Sequence, residues 1–155
     1  MQIPLTLPLG PCWELEDRRV DSTTFLQLLV STFPEATTAF FEGSSMAPNI
    51  VKIFERHTDP GPYLPKPQTL WSTGTILRVR CSFTPALCEA LANASPHHAE
   101  PELFDHLFLY AEHMPLLEWP DAFSNCMWIA FSIPESRINA FAGSLGVKYK
   151  CANHN

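Results

Sequence analysis

The chain has 155 residues, of which 46% are hydrophobic and 17% are charged, a composition that suits a packed core within one domain. Its formal net charge of -6 at pH 7 repels phosphate backbones and anionic lipid, which argues against nucleic acid and membrane surfaces as partners. We therefore expect a single domain over residues 1–155, with no apolar run long enough for a membrane-spanning helix.

The N-terminus and the cysteines both indicate a cytoplasmic protein. Pro4 and Pro8 interrupt the first apolar stretch and no basic residue precedes it, so the pattern is unlike that of a secretory signal peptide. The five cysteines are odd in number and include no Cys-x-x-Cys pair, which disfavours a disulfide framework or a zinc knuckle. Buried, reduced thiols are the expected state.

In the first half of the chain, the apolar pattern predicts two helices and a strand after an irregular segment over residues 1–20. The first helix starts near Ser22, with Asp21 and Ser22 as its candidate caps, and stops at Pro34. Aromatic and β-branched residues predict a strand over residues 37–42. The second helix follows, with Ser44 and Ser45 as its candidate caps.

A proline-rich loop and a strongly patterned strand come next. Residues 59–70 contain too many prolines for regular structure, because proline removes amide donors and restricts its neighbours. This segment, which carries Tyr63, is either a plain connection or a recognition segment. Strict alternation over residues 77–83 then predicts a strand.

In the second half, two helices and several short strands are predicted. Thr84 and Pro85 form the N-cap and first turn of one helix. The other starts at a capping box formed by Ser132 and Glu135 and ends at Gly146. The predicted strands cover residues 107–111, 116–119 and 126–131, and whether the short run 147–151 forms a last strand is left open.

These elements together predict an α+β fold. A hairpin and several helix-then-strand steps favour a mixed or mainly antiparallel sheet of about five strands, with helices packed mainly on one face.

Signatures of known catalytic machinery are absent from the sequence. It contains no Gly-x-Gly-x-x-Gly, Walker loop, Gly-x-Ser-x-Gly or His-Glu-x-x-His motif, so an enzyme is less favoured than a binding protein and no cofactor is predicted. The densest group of His, Asp and Glu lies between residues 97 and 121. It leaves open a metal-dependent or acid-base hydrolase as the alternative. The hydrolase residues would be His106, Glu118 and Asp121, and the metal ligands would be His106, His113 and Glu102.

A protein-binding surface is the leading hypothesis. Trp119 combines a large apolar ring with the acidic neighbours Glu118 and Asp121 at a predicted turn, which is a composition typical of interface anchors. The predicted partner-binding residues are Glu118, Trp119, Asp121, Tyr63, Arg78 and Arg80.

Arg78 and Arg80 allow two interpretations. They project from the polar side of their predicted strand, where they would pair with Glu42 or Glu118 on neighbouring strands. The alternative is that they bind a carboxylate or a phosphate.

Three phrases of the second half resemble those of small bacterial proteins of unassigned function. They are His98-Ala-Glu-Pro-Glu-Leu103, Leu116-Leu-Glu-Trp119 and Ile133-Pro-Glu135, and the resemblance extends over residues 40–149. In size and acidity the chain is also similar, more loosely, to immunity proteins that neutralise bacterial toxins. This resemblance implies a cytoplasmic inhibitor that covers the active site of a toxin partner.

Overall fold

The computed structural model describes residues 9–65 and 76–154, which contain four α-helices and seven β-strands. The strands are β1 (Gly10–Leu15), β2 (Thr38–Gly43), β3 (Leu77–Ser82), β4 (His106–Ala111), β5 (Met114–Trp119), β6 (Met127–Ala130) and β7 (Tyr149–His154). The helices are α1 (Ser22–Thr32), α2 (Pro48–Arg56), α3 (Pro85–Ala94) and α4 (Glu135–Leu145).

The seven strands form one sheet in the order β3-β2-β4-β5-β6-β1-β7, and every neighbouring pair is antiparallel. The predicted α+β class is therefore confirmed, whereas the predicted number of about five strands is wrong. The main omission is β1, which lies within the segment 1–20 that was expected to be irregular. Cys12 and Leu15 are buried on opposite faces of β1, so this strand lacks the apolar and polar alternation by which strands are recognised.

The helices pack against one face of the sheet and enclose the main core. Strand register aligns Ala39, Leu109, Leu117 and Ile129 across the sheet, and all four belong to the core that includes the buried residues of α1, α3 and α4. Phe25 of α1 extends the same core. Because side chains alternate along a strand, the residues between these positions lie on the other face.

Side-chain caps fix the starts of two helices as predicted. Asp21 accepts a hydrogen bond of 2.9 Å from the backbone N–H of Thr24, and Thr84 accepts one of 3.2 Å from that of Leu87. At the end of α4, Gly146 adopts φ 73°, a left-handed conformation that favours glycine. None of the helices in the described ranges is long and apolar enough to cross a membrane.

The other two predicted caps are wrong. The N-cap of α2 is Ala47, and neither Ser44 nor Ser45 caps this helix. The N-cap of α4 is Pro134, so Ser132 does not form the predicted capping box. Both N-cap residues have extended backbone and make no side-chain capping hydrogen bond, so side-chain chemistry marks neither start.

A loop covers part of the opposite face of the sheet. The guanidinium of Arg80 donates a hydrogen bond of 2.9 Å to the carbonyl oxygen of Pro62 and lies 3.3 Å from the carboxylate of Asp59. The ring of Tyr63 packs edge-on against Phe40, with centroids 5.2 Å apart. Residues 59–65 thus form the loop predicted over 59–70, whose residues 66–70 lie outside the described ranges.

The five cysteines are free, and they differ in exposure. Cys12, Cys81 and Cys88 are buried as predicted, whereas Cys126 is half-buried and Cys151 is exposed. Cys151 lies on β7, which ends the strand order of the sheet and leaves the side chain open to solvent.

Thiol labelling of the native protein is expected to give one fast site, Cys151, because a buried thiol reacts only when the structure opens. The Cys151→Ser variant should lose the fast phase and keep the slow one. Timed alkylation followed by peptide mass spectrometry measures both phases. Equally fast labelling of Cys81 or Cys88 would contradict the packing described above.

Candidate functional site

A groove of about 340 Å³ opens where β5 ends and β4 begins, and it is here named the acidic groove. Three carboxylates, one imidazole and two aromatic rings line it, namely Glu100, Asp105, Asp121, His106, Phe104 and Phe123. This volume lies near the lower end of the range of roughly 300–1,000 Å³ for ligand pockets, so the acidic groove suits a small group or one side chain.

Asp105 is fixed in place by the loop between β2 and α2. Its Oδ2 accepts hydrogen bonds of 2.9 Å from the backbone N–H and 3.0 Å from the hydroxyl of Ser44. Its own carbonyl accepts a hydrogen bond of 2.7 Å from the N–H of Ala122. One wall of the groove is therefore tied both to α2 and to the turn after β5.

The turn after β5 has an unusual backbone. Asp121 adopts φ 49° and Phe123 adopts φ 70°, a left-handed conformation that costs a bulky residue about 1–2 kcal/mol. The ring of Phe123 is held between Phe104, at 5.3 Å between centroids, and Trp119, at 4.7 Å. Packing of this ring maintains the strained turn and makes Phe104 and Phe123 an apolar floor.

His106 is anchored to the turn after β5. Its side chain is only 8% exposed, and its Nδ1 accepts a hydrogen bond of 2.8 Å from the backbone N–H of Asp121. A neutral imidazole whose Nδ1 accepts must carry its hydrogen on Nε2. Within residues 9–65 and 76–154 no enclosed polar side-chain atom lacks a hydrogen-bond partner. The ring of His106 therefore holds the turn at Asp121 in place and forms part of the wall of the groove.

The electrostatic character of the acidic groove is negative. Asp121 has a side chain that is 70% exposed, with its Oδ1 3.9 Å from the Nδ1 of His106. In the described part of the chain, the one Lys or Arg paired with these three carboxylates is Arg19, whose Nε lies 3.2 Å from Glu100 and whose side chain is 82% exposed. Such an exposed pair contributes little and is easily exchanged for another cation.

This arrangement suits binding better than proton transfer. The Nδ1 of His106 accepts the hydrogen bond from Asp121, so its lone pair is not free for general base catalysis. The three carboxylates accept hydrogen bonds, so the groove complements a cation or a hydrogen-bond donor.

Glu118 and Trp119 do not lie together at the groove, because adjacent residues of β5 point to opposite faces. Trp119 is 2% exposed and packs against Phe25 at 4.6 Å between centroids, so its predicted role as an exposed interface anchor is wrong. Glu118 points away from the helices, and its carboxylate lies 2.8 Å from the Nε2 of His154. Burial raises the pKa of Glu118, and the pairing with His154 opposes this rise.

Tyr63, Arg78 and Arg80 make internal contacts that hold the loop 59–65 on the sheet. The Nε of Arg78 lies 3.5 Å from the Oε2 of Glu42, which is one of the predicted cross-strand pairs. The hydroxyl of Tyr63 donates to the same oxygen at 3.4 Å. Arg80 pairs with Asp59 and not with Glu42 or Glu118.

The three proposed metal ligands are not brought together. His106 begins β4 and His113 lies in the turn after it, so the six residues of the strand, at about 3.4 Å per residue, separate them by roughly 20 Å. Glu102 accepts a hydrogen bond of 2.8 Å from the N–H of Ala99. Among the residues that the structure describes, no three His, Cys, Asp or Glu side chains form a group that could hold a metal ion, so the predicted alternative site is wrong.

Two predicted residues, His106 and Asp121, do line the acidic groove, but Glu100, Asp105, Phe104 and Phe123 were not identified as site residues from the sequence. The sequence feature that could have pointed to Glu100 and Asp105 is the polar group between residues 97 and 121, to which both belong.

No protein-family model matches the chain, and neither a curated protein nor a solved structure shows significant similarity to it. The resemblance to immunity proteins therefore stays a prediction.

Proposed function

We propose that this protein is a protein-binding inhibitor of the immunity type, which neutralises a bacterial toxin by binding a basic part of it in the acidic groove. The observation that carries this proposal is the groove itself, where Glu100, Asp105 and Asp121 surround an apolar floor beside the nearly buried side chain of His106. Apolar floors with a charged rim are typical of the centres of protein interfaces.

The electrostatics of the whole chain support a basic partner. A net charge of -6 attracts such a partner over a distance, and the carboxylates of the acidic groove then fix its position. Immunity-type inhibition in the cytoplasm also agrees with the free state of all five cysteines.

The groove is formed before any partner binds, which favours affinity. Asp105 is held by Ser44, and the turn at Asp121 is held by His106 and by the packing of Phe123. Because little backbone has to be ordered on binding, less of the interaction free energy is lost to conformational entropy.

A hydrolase is supported less well than a binding protein. The residues considered for it are separated, since Glu118 pairs with His154 while His106 and Asp121 line the groove. The Nδ1 of the imidazole that remains already accepts a hydrogen bond from the N–H of Asp121, so its lone pair is not free to act as a base.

Co-expression with the toxin encoded by the neighbouring gene is expected to give a stable complex and to restore growth. The double variant Glu100→Gln/Asp121→Asn should weaken the complex by about tenfold or more in Kd, because it removes two charges facing a basic partner. The Glu55→Gln variant is the matched control, since Glu55 is exposed on α2 outside the groove. Calorimetry on the purified full-length proteins measures Kd.

Two results would contradict the proposal at different levels. Absence of both a complex and growth rescue by the unmodified protein would overturn the inhibitor function. Unchanged affinity of the double variant, with the complex intact, would exclude the acidic groove as the contact surface.

A further inference from the structure

We infer that the end of β7 is a pH-sensitive cover over the thiol of Cys12, closed while His154 is charged and released as the pH rises and His154 becomes neutral. His154 is the last residue of β7, which ends the strand order of the sheet. The cover lies on the face away from the helices, where the register aligns Glu118 with Trp128. It shares no residue with the acidic groove and does not rest on the proposed function.

Three contacts of His154 hold the end of β7 in place. Its Nε2 lies 2.8 Å from the carboxylate of Glu118 on β5. Its ring stacks on that of Trp128 on β6, with centroids 4.1 Å apart and an interplanar angle of 1°. Its backbone is hydrogen-bonded to the thiol of Cys12 on β1. The end of the edge strand is therefore tied to three other strands through one titratable residue.

Cys12 is the group that this cover protects. The residue is 0% exposed, although β1 lies only one strand from the edge of the sheet. The register places Cys12 opposite Ala152 of β7 and Ala130 of β6. Cys12 is outside the main core between the sheet and the helices, so its exposure does not require that core to unfold. Departure of residues 152–154 would leave the thiol open on the side of β7.

Glu118 makes the closed state sensitive to pH. Its side chain is 13% exposed, and burial raises its pKa above the ordinary value of 4.5, while the pairing with His154 opposes this rise. A carboxyl group whose pKa is raised in the closed state favours closure fully below the ordinary value. This contribution is lost as the pH rises through the raised value. Above it, the ionised carboxylate is buried at a cost that a cation beside it offsets.

His154 supplies that cation. Imidazole is the side chain that changes charge between about pH 5 and 8. When His154 is charged, it forms an ion pair with Glu118 and also stacks favourably on the ring of Trp128. When it is neutral, its Nε2–H can still donate to Glu118, but the buried carboxylate has lost its compensating charge. Both titrations therefore act in the same direction, and raising the pH weakens the closed state.

The other titratable side chains on this face of the described strands flanking the pair are Tyr110 and His106 on β4, Cys12 and Glu14 on β1, and Lys150 on β7. Glu14 and Lys150 neutralise each other, with 3.3 Å between Oε2 and Nζ. Tyr110 and Cys12 stay neutral near pH 7, because burial raises the pKa of both. His106 is hydrogen-bonded to the turn after β5. The charge of this part of the face is therefore set by the ion pair itself.

Thiol alkylation of the full-length protein over a series of pH values, followed by peptide mass spectrometry, tests the cover. Each rate is divided by the rate of the same thiol in urea at the same pH, which removes the effect of pH on the thiolate fraction. We expect the corrected rate of Cys12 to rise about three- to tenfold between about pH 6 and about pH 8.5. The corrected rate of Cys88 should stay constant, because it reports opening of the main core. An unchanged rate at Cys12, or an equal rise at Cys88, would overturn the inference.

Two variants separate the pH-sensitive role of the pair from a structural one. Glu118→Gln keeps the shape and an acceptor oxygen but removes the charge, so Cys12 should be labelled slowly at every pH of the series. His154→Phe keeps a ring on Trp128 but removes the cation and the donor. In this variant Cys12 should be labelled at about pH 7 as fast as in the unmodified protein at about pH 8.5. A structural role alone would change the rate by the same factor at every pH, and that result in Glu118→Gln would contradict the inference.

Lys150→Gln is the matched control, because it removes a charged side chain from the same face of β7. Lys150 is paired with Glu14, but its side chain is 73% exposed, so the pair contributes little. This variant should keep the rise in the Cys12 rate that the unmodified protein shows. If Lys150→Gln abolishes the rise as Glu118→Gln does, the opening reflects the overall charge of the strand, and the inference is wrong.

Discussion

Replacing Trp119 with alanine is expected to lower the free energy of unfolding by about 3–5 kcal/mol. The indole is 2% exposed and lies 4.6 Å from the ring of Phe25 and 4.7 Å from that of Phe123, measured between centroids. Its N–H donates a hydrogen bond of 3.1 Å to the carbonyl oxygen of Asn125. Alanine would leave a cavity at the junction of the sheet, α1 and the turn that forms the groove.

Urea unfolding followed by circular dichroism measures this loss, since tryptophan fluorescence changes with the substitution itself. Trp119→Phe is the control, because it keeps an aromatic ring and removes one hydrogen bond, at a cost nearer 1–2 kcal/mol. A Trp119→Ala variant as stable as the unmodified protein, but weaker in partner binding, would restore the interface-anchor interpretation and contradict the burial.

The Trp119→Ala substitution also tests whether the core supports the shape of the acidic groove. Phe123 holds a left-handed backbone conformation, and its ring packs between Trp119 and Phe104. Loss of Trp119 removes one of these contacts, so the strained turn should relax and displace Asp121. Trp119→Ala at temperatures where it remains folded should therefore also form a weaker complex with the partner, and an unchanged Kd would show that the turn keeps its conformation without this contact.

The sequence contained local signals for most elements of this fold. Asp21 and Thr84 cap α1 and α3 through their own nearby backbone, and strict alternation marks β3, so a short window of residues was sufficient to predict each of these elements. The strand β1 was missed because its two buried faces hide the alternation, and its pairing with β6 and β7 joins residues more than 100 positions apart.

The orientation of Trp119 was available in the pattern but was not used. Leu117 and Trp119 share one face of β5, and Glu118 lies on the other, so alternation already separates the tryptophan from its acidic neighbour. Alternation alone does not show which face of the strand the helices cover. That choice depends on Phe25 and the rest of the core across the sheet.

The acidic groove could not be predicted from spacing, because three separate segments build it. Glu100 belongs to a short 3₁₀ turn, His106 begins β4, and Asp121 follows β5. The antiparallel register that pairs Leu107 with Trp119 is what places His106 beside the turn at Asp121. No sequence rule indicates a left-handed phenylalanine at position 123, which is a consequence of tertiary packing.

Raising the pH from 9 towards 12 is expected to unfold the protein, largely through two buried thiols. Burial raises the pKa of Cys81 and that of Cys88 from the ordinary value of 9.0 to about 12, with a smaller contribution from Asp59 at Cys81. In this range the unfolded chain releases protons that the folded chain retains. Stability is therefore fully present below about pH 9 and is lost as the pH approaches 12.

The expected loss is on the order of 4 kcal/mol per thiol, which for two thiols approaches the whole stability of a typical domain. Urea unfolding at a series of pH values measures the slope. The double variant Cys81→Ala/Cys88→Ala should be less stable at neutral pH, because it loses packing, and should lose stability less steeply above pH 9. An equally steep loss in this variant would contradict the assignment.

A residual slope in the double variant should come from Tyr63 and Tyr110, because burial raises the pKa of both phenols above the ordinary value of 10.0. The same burial makes Cys81 and Cys88 poor nucleophiles, since thiols with a pKa of about 12 are almost fully protonated at neutral pH. Cys81 instead directs its thiol at the carbonyl oxygen of Phe54, 3.8 Å away. These two cysteines therefore contribute to packing and are not positioned to react at the surface.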